Sequence, residues 1–178
     1  HKLEAALKQF KIKTDGLICA DIGAATGGFS EILLKYGAEK IYAIDTARGK
    51  LAFKLRENPR IKIMEGTDAR KLEMLPEKID LAVIDISLHS LKEILPSVKK
   101  FLDPRGKVIA LFKPQYETRD RSVLRKGVIK DEQVRENLLK SFVDWVKANG
   151  WAVKEWMESP IKGAKGNKEY LIYLIPSF

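Results

Sequence analysis

Asp21-Ile22-Gly23-Ala24-Ala25-Thr26-Gly27-Gly28-Phe29 joins two segments of opposite periodicity. Upstream, residues 17–22 form a short aliphatic run that reads as a buried strand. Downstream, Phe29, Ile32, Leu33 and Tyr36 recur at helical spacing and Gly37 supplies a stop. The nine residues are therefore a strand-to-helix turn, in which Gly23, Gly27 and Gly28 let the backbone bend and approach a ligand. Residues 41–45 read as a second strand closing on Asp45, an acid about 20 residues past the first glycine, where ribose recognition calls for one. Glycine turn and acid together predict the nucleotide half of a Rossmann-like fold.

The turn departs from a dinucleotide fingerprint. Ala25 stands where a second glycine would admit a pyrophosphate. A ligand with ribose and adenine but no phosphate has no such requirement, and S-adenosylmethionine is one. Asp21, at the end of the first strand, suits its cationic end. A nicotinamide cofactor is the weaker reading. Tyr36 and Lys40 match a Tyr-x-x-x-Lys spacing, but lie between the first helix and second strand rather than on a catalytic helix.

Working outward, Leu3, Leu7 and Phe10 share one face of an opening helix. Leu51 and Leu55 mark a helix ending before Asn58-Pro59. Residues 61–64 alternate as a third strand with Asp68 just beyond, within reach of the adenine side. Residues 79–85 form a fourth strand ending at Asp85. Ser90 and Glu93 can form a capping box, with Pro96 kinking the next helix or opening a second piece. Pro104-Arg105-Gly106 turns the chain into a fifth strand, 108–112, ending at Lys113. Asp131 can cap the longest helix, with Val134, Leu138, Leu139, Phe142, Val143 and Val146 on its apolar stripe. Residues 151–157 and 170–175 read as two closing strands. Five strands alternating with helices, then a hairpin, predict an α/β fold. Its seven-stranded sheet is mostly parallel, with an antiparallel last strand and helices on both faces, in one domain over 1–178.

Composition bounds the function. In 178 residues, 45% are apolar and 32% charged, which describes a globular chain rather than a disordered one. Lys+Arg 33 against Asp+Glu 24 leaves a net +9, which points to a polyanionic partner. The single cysteine, Cys19, falls within the first strand, so neither a disulfide framework nor a thiolate metal cluster is expected. With no long apolar run and no signal peptide, a cytoplasmic protein without a membrane span is expected. Positive charge gathers in the loop after the fifth strand (Arg119, Arg121, Arg125, Lys126) and between the closing strands (Lys162, Lys165, Lys168). Both segments could track phosphates at the pocket mouth.

Three charged residues stand at strand ends. Asp85 and Lys113 close the fourth and fifth strands. Glu169 begins the last, whose start lies at the carboxyl ends of the others if it runs antiparallel. Two carboxylates and an amine would then meet at the pocket edge. His1 and His89 are the only histidines, and no nucleophile triad or metal spacing emerges.

Lys2-Leu3, the glycine turn, Lys50-Leu51 with Lys54-Leu55-Arg56, Asp85-Ile86-Ser87, residues 113–117 and 126–131, and the run from Ser159-Pro160-Ile161 to Tyr170 resemble the methyltransferase domain of the hemolysin A (TlyA) family. That family is related to the FtsJ-type ribose 2′-O-methyltransferases. The resemblance implies a Lys-Asp-Lys-Glu tetrad at Lys2, Asp85, Lys113 and Glu169, methylating a ribose hydroxyl of ribosomal RNA, on a cytidine. It implies S-adenosylmethionine contacts at Asp21, Gly23, Ala24, Phe29, Asp45, Asp68 and Asp85, with Gly27 in the same turn. Ribosomal RNA or a ribosomal subunit is the implied partner. Family members carry an S4 RNA-binding domain upstream, whereas this chain starts at His1. Leu88-His89 replaces the family's aromatic-aliphatic pair, and His89 reads as a helix-start residue facing water.

A free 2′-hydroxyl is a poor nucleophile. A lysine protonated until about pH 10.4 cannot take its proton unless a neighbouring ammonium and partial burial lower that value. Lys113 is the expected base or polariser, with Lys2 tuning it and the carboxylates orienting both. A small-molecule methyltransferase and a non-enzymatic basic ribosome- or membrane-associating module are the alternatives.

Overall fold

A computed structural model describes residues 1–178. Five parallel strands come first: β1 (Ile18–Ile22), β2 (Lys40–Ile44), β3 (Ile61–Met64), β4 (Ile79–Ile84) and β5 (Leu102–Phe112). A two-stranded hairpin follows, β6 (Leu124–Arg125) with β7 (Val128–Ile129), and then the closing strands β8 (Trp151–Glu158) and β9 (Tyr170–Pro176). The helices are α1 (Lys2–Phe10), α2 (Gly28–Lys35), α3 (Phe53–Arg56), α4 (Leu95–Phe101), α5 (Pro114–Glu117) and α6 (Glu132–Ala148). The main sheet is ordered β3-β2-β1-β4-β5-β9-β8, with β9 antiparallel to both neighbours. This is the expected seven-stranded, mostly parallel sheet.

The strand order reverses between β1 and β4, so the loops after these strands diverge and leave a crevice at their carboxyl ends. Alternation along β1 divides its side chains between two cores. Ala20 and Ile22 join the apolar cluster under α4 and α6, while Cys19 joins the cluster under α1 and α2. Both faces are covered, as a parallel sheet requires.

Several boundaries differ from the sequence reading. α3 is a single turn. β5 begins at Leu102, and its pairing jumps from Ile79↔Leu102 to Leu81↔Lys107, so the Pro104 turn survives as a bulge inside a longer strand. The capping box of Ser90 and Glu93 is present, on a 3₁₀ turn (Leu91–Glu93), and Pro96 opens α4 as a separate piece. Asp131 caps α6, accepting from the Gln133 and Val134 amides. The basic loop contains α5 and the β6–β7 hairpin, neither of which its polar sequence announced. No helix is long and apolar enough to cross a membrane.

Candidate active site

The glycine turn sits over the crevice. Gly23 has φ +84°, and a Cβ there would collide with the carbonyl oxygen of Asp85, so only glycine lets the β1 and β4 loops pass this closely. Asp45, just past β2, accepts the Ala25 amide on Oδ2 and the Ala47 amide on Oδ1, each at 2.8 Å. That pairing fixes both the turn and the carboxylate at the rim. Asp68 caps the 3₁₀ turn after β3, and its carboxylate is held by Arg70, whose Nη2 lies 2.8 Å from Oδ2. Gly23, Asp45, Asp68 and Asp85 line one cleft of about 380 Å³ with Ser87 and Leu88. Clefts that enclose small ligands begin at about 300 Å³.

The other residues assigned to the cofactor lie behind this surface. Asp21 is wholly buried and does not line the cleft. Its Oδ2 accepts from Ser30 Oγ at 2.7 Å, while Oδ1 has no partner. Burial, opposed by the Ser30 hydrogen bond and reinforced by the Asp85 and Asp45 charges, pushes its carboxyl up to about 7. Gly27 has φ +100° and faces the side chains of Leu55 and Leu51, so it makes room for α3 rather than for a ligand. Phe29 packs against the core beneath α1 and α2, and Ala24 is buried in the turn. Spacing alone could not separate residues facing the crevice from those supporting it.

The four residues of the expected tetrad lie along the same sheet edge as two ion pairs. Lys113 Nζ is 2.5 Å from Asp85 Oδ1 and 3.2 Å from Ser87 Oγ. Lys2 Nζ donates to Glu169 Oε1 at 2.9 Å. Strand register explains the meeting. Phe112 pairs with Tyr170 across the antiparallel β5–β9 ladder, which sets Lys113 and Glu169 at the next position out. Ile84 pairs with Ala110 in the parallel β4–β5 ladder, bringing Asp85 to the same end. Lys2, in the first turn of α1, reaches Glu169 because α1 packs beneath β9. Glu169 is only 2% exposed. Gln115 Nε2 of α5 lies 3.5 Å from its other oxygen, and the backbone at Gly163 leaves no room for a Cβ beside it.

The basic residues divide. Arg125, Lys126, Lys162, Lys165 and Lys168 border a second, wider cleft next to this edge, whereas Arg119 and Arg121 are exposed outside it. Arg135 of α6, outside that helix's apolar stripe, also lines that cleft. His89 is exposed at the cofactor-side cleft, with Nδ1 3.1 Å from Arg70 Nη1 and 3.4 Å from Glu93 Oε2. Glu117 of α5 accepts from Ser90 Oγ at 2.5 Å and from the Leu91 amide at 2.8 Å, and burial pushes it up to about 7.

A doubly wound sheet with β9 inserted antiparallel before β8, and a crevice at the β1/β4 switch carrying acids rather than a phosphate cradle, is the architecture of Rossmann-like methyltransferases. The FtsJ-like methyltransferase family model matches residues 1–175, and the chain belongs to that family. It is 39% identical over 176 residues to YqxC of Bacillus subtilis, covering 97% of this chain and 63% of that protein. It is 38% identical to the 16S/23S rRNA (cytidine-2′-O)-methyltransferase TlyA of Mycobacterium tuberculosis, with coverages of 98% and 66%. A solved protein of Streptococcus thermophilus that carries the hemolysin name superposes with a TM-score of 0.96 at 36% identity, over 99% of this chain and 65% of that one. The chain thus spans about two thirds of the length of these relatives.

Proposed function

We propose that the chain transfers a methyl group from S-adenosylmethionine to a ribose 2′-hydroxyl of ribosomal RNA, on a cytidine. The observation that carries this reading is the pair of ion pairs, Lys113–Asp85 and Lys2–Glu169, set at one sheet edge beside the acid-lined crevice. The residues of the crevice fit the cofactor. Gly23 lets the β1 and β4 loops meet closely at the crevice, and Asp45 presents at its rim a carboxylate held by the Ala25 and Ala47 amides. Asp68 closes the adenine side, and Asp85 connects the crevice to the lysines. The acidic lining suits a cationic ligand, with the buried Asp21 carboxyl held behind it by Ser30. When bound, S-adenosylmethionine supplies an electrophilic methyl group on a sulfonium.

The chain's own residues then have separable tasks. Lys113 Nζ would meet the hydroxyl as the free amine, its ammonium proton having passed to solvent, and would take the hydroxyl's proton while the oxygen receives the methyl group. Asp85 and Ser87 aim that amine. Lys2 and Glu169 fix the far side of the hydroxyl's site, with Gln115 and the Gly163 backbone holding the carboxylate. Positioning of this kind contributes several kcal/mol to a two-substrate reaction. Arg119, Arg121, Arg125, Lys126, Lys162, Lys165 and Lys168 contact the RNA backbone in this reading. TlyA of M. tuberculosis is named for this reaction, and the match spans nearly the whole of this chain. When both isolated ribosomal subunits are incubated with tritiated S-adenosylmethionine and the protein, at least one should acquire label at a 2′-O-methylcytidine. Label on a base, or on neither subunit, would overturn the assignment.

A further inference from the structure

Beside the reaction edge lies a cleft of about 1,090 Å³ in which seven of ten lining residues are basic and none is acidic. One wall is the β6–β7 hairpin. Its register, Leu124↔Ile129 and Arg125↔Val128, leaves Lys126-Gly127 as a two-residue loop with φ +52° and +81°. Such turns favour asparagine or glycine at both positions, so a lysine at the first is held there at some cost. The opposite wall is the 164–166 turn, where Lys165 also has a left-handed backbone, φ +59°. Lys165 Nζ lies over the hairpin tip, 3.0 Å from where a Gly127 Cβ would stand.

Two segments of like charge are thus pressed together, and one buried side chain clamps them. Asn167, 3% exposed, accepts the Ile129 amide at 3.1 Å and donates to the carbonyls of Gly127 at 3.0 Å and Ala164 at 3.1 Å. Behind the hairpin, Arg135 is 6% exposed and lines the cleft. Its Nη1 donates to the Ile129 carbonyl at 2.9 Å, its Nε has no acceptor, and no carboxylate lies within ion-pair distance. A buried guanidinium without an anion is costly, as are clustered lysines, and a phosphate between the walls relieves both.

We propose that this cleft is a preorganised site for a backbone phosphate of the RNA. It is anchored by Arg135 and clamped by Asn167, and it fixes the strand relative to the hydroxyl being methylated. The cleft adjoins that hydroxyl's site through Gly163, which abuts Glu169 while its neighbour Lys162 lines the basic wall. The inference rests on the RNA reading above and adds where the strand is gripped.

The test is fluorescence anisotropy with a labelled single-stranded oligoribonucleotide over a salt series, with S-adenosylmethionine affinity measured calorimetrically in parallel. The Lys126→Ala/Lys165→Ala variant should bind RNA at least tenfold more weakly. Its log K against log salt slope should be shallower by about 0.7, the share of one single-strand phosphate contact, with cofactor affinity unchanged. Arg135→Met should weaken RNA binding further, and a melting curve checks that it folds. If it does not fold, the lysine variant decides alone. An unchanged slope in that variant would overturn the proposal. So would a loss confined to vesicles of anionic phospholipid with RNA binding intact. Salt-dependent binding that maps to the cleft in a protein transferring no methyl group would uphold this site and sink only the reading of the reaction.

Discussion

Glu169 Oε1 accepts from Lys2 Nζ at 2.9 Å, joining the first turn of α1 to the foot of β9 across 167 positions of sequence. The two partners are unequal. Glu169 is 2% exposed, while the Lys2 side chain is 21% exposed and can turn towards water. Lys2→Met strands a buried carboxylate with only a 3.5 Å contact from Gln115, whereas Glu169→Gln leaves a lysine that can rehydrate. Lys2→Met should therefore cost about 1–3 kcal/mol of stability and Glu169→Gln less than half of that, with the double variant restoring much of the loss. Thermal melts of the three proteins test the order. Equal losses would show that Glu169 is better solvated than its burial indicates.

Lys113, 2.5 Å from Asp85, is the group assigned to the hydroxyl proton. Lys113→Ala should lower methyl transfer by about 10²–10⁴-fold, the range of a general base. Cofactor affinity should stay within about threefold, because Lys113 does not line the crevice. Single-turnover transfer and calorimetry separate the two quantities.

Gly163→Ala is the quieter counterpart. An added methyl collides with the Glu169 carboxylate and must displace it. We expect transfer to fall at least tenfold while RNA affinity, read by anisotropy, moves by less than threefold. Retention of full activity would show that the carboxylate's placement is not required.

Gly23→Ala strains a φ of +84° and meets the Asp85 carbonyl, so it should cost about 2 kcal/mol or more and abolish detectable cofactor binding. Asp45→Ala removes the acceptor of two amides, at about 1 kcal/mol each, and should weaken cofactor binding at least tenfold. Denaturant midpoints and calorimetry check both.

Asp21 titrates at about 7 in the folded chain against 3.8 ordinarily. Between those values the folded protein binds the proton that the unfolded chain has released. Stability therefore falls as pH rises through that window, by up to about 1.4 kcal/mol per pH unit for one proton, and levels off above pH 7. Glu117, also raised to about 7, adds to the same slope. Asp21→Asn should remove the Asp21 share, so its denaturant midpoint should gain on the parent's as pH goes from 5 to 8. Parallel curves would place the Asp21 carboxylate in a better solvated or better paired setting.

The periodicities of the chain were enough to settle its architecture. Strand and helix repeats of 2 and 3.6 residues are local, and right-handed crossovers turn their alternation into a mostly parallel, doubly wound sheet, whose strand order only the tertiary pairing decided. The glycine turn and Asp45 were legible for the same reason, since both lie within one strand-turn-helix unit. Lys2 entered only through family resemblance, and its contact with Glu169 exists because α1 packs under β9. Arg135 was not singled out, because a helical repeat cannot show that a hairpin 6 to 11 residues upstream folds back over it. Gly27 and Phe29 could not be told from crevice residues, because which side of a turn meets solvent is set by its packing against α3 and the core. Charge position along the chain is a property of the sequence. Whether a charge ends beside its opposite, beside its like or alone under a lid of backbone is fixed by contacts between distant segments, and those belong to the tertiary structure.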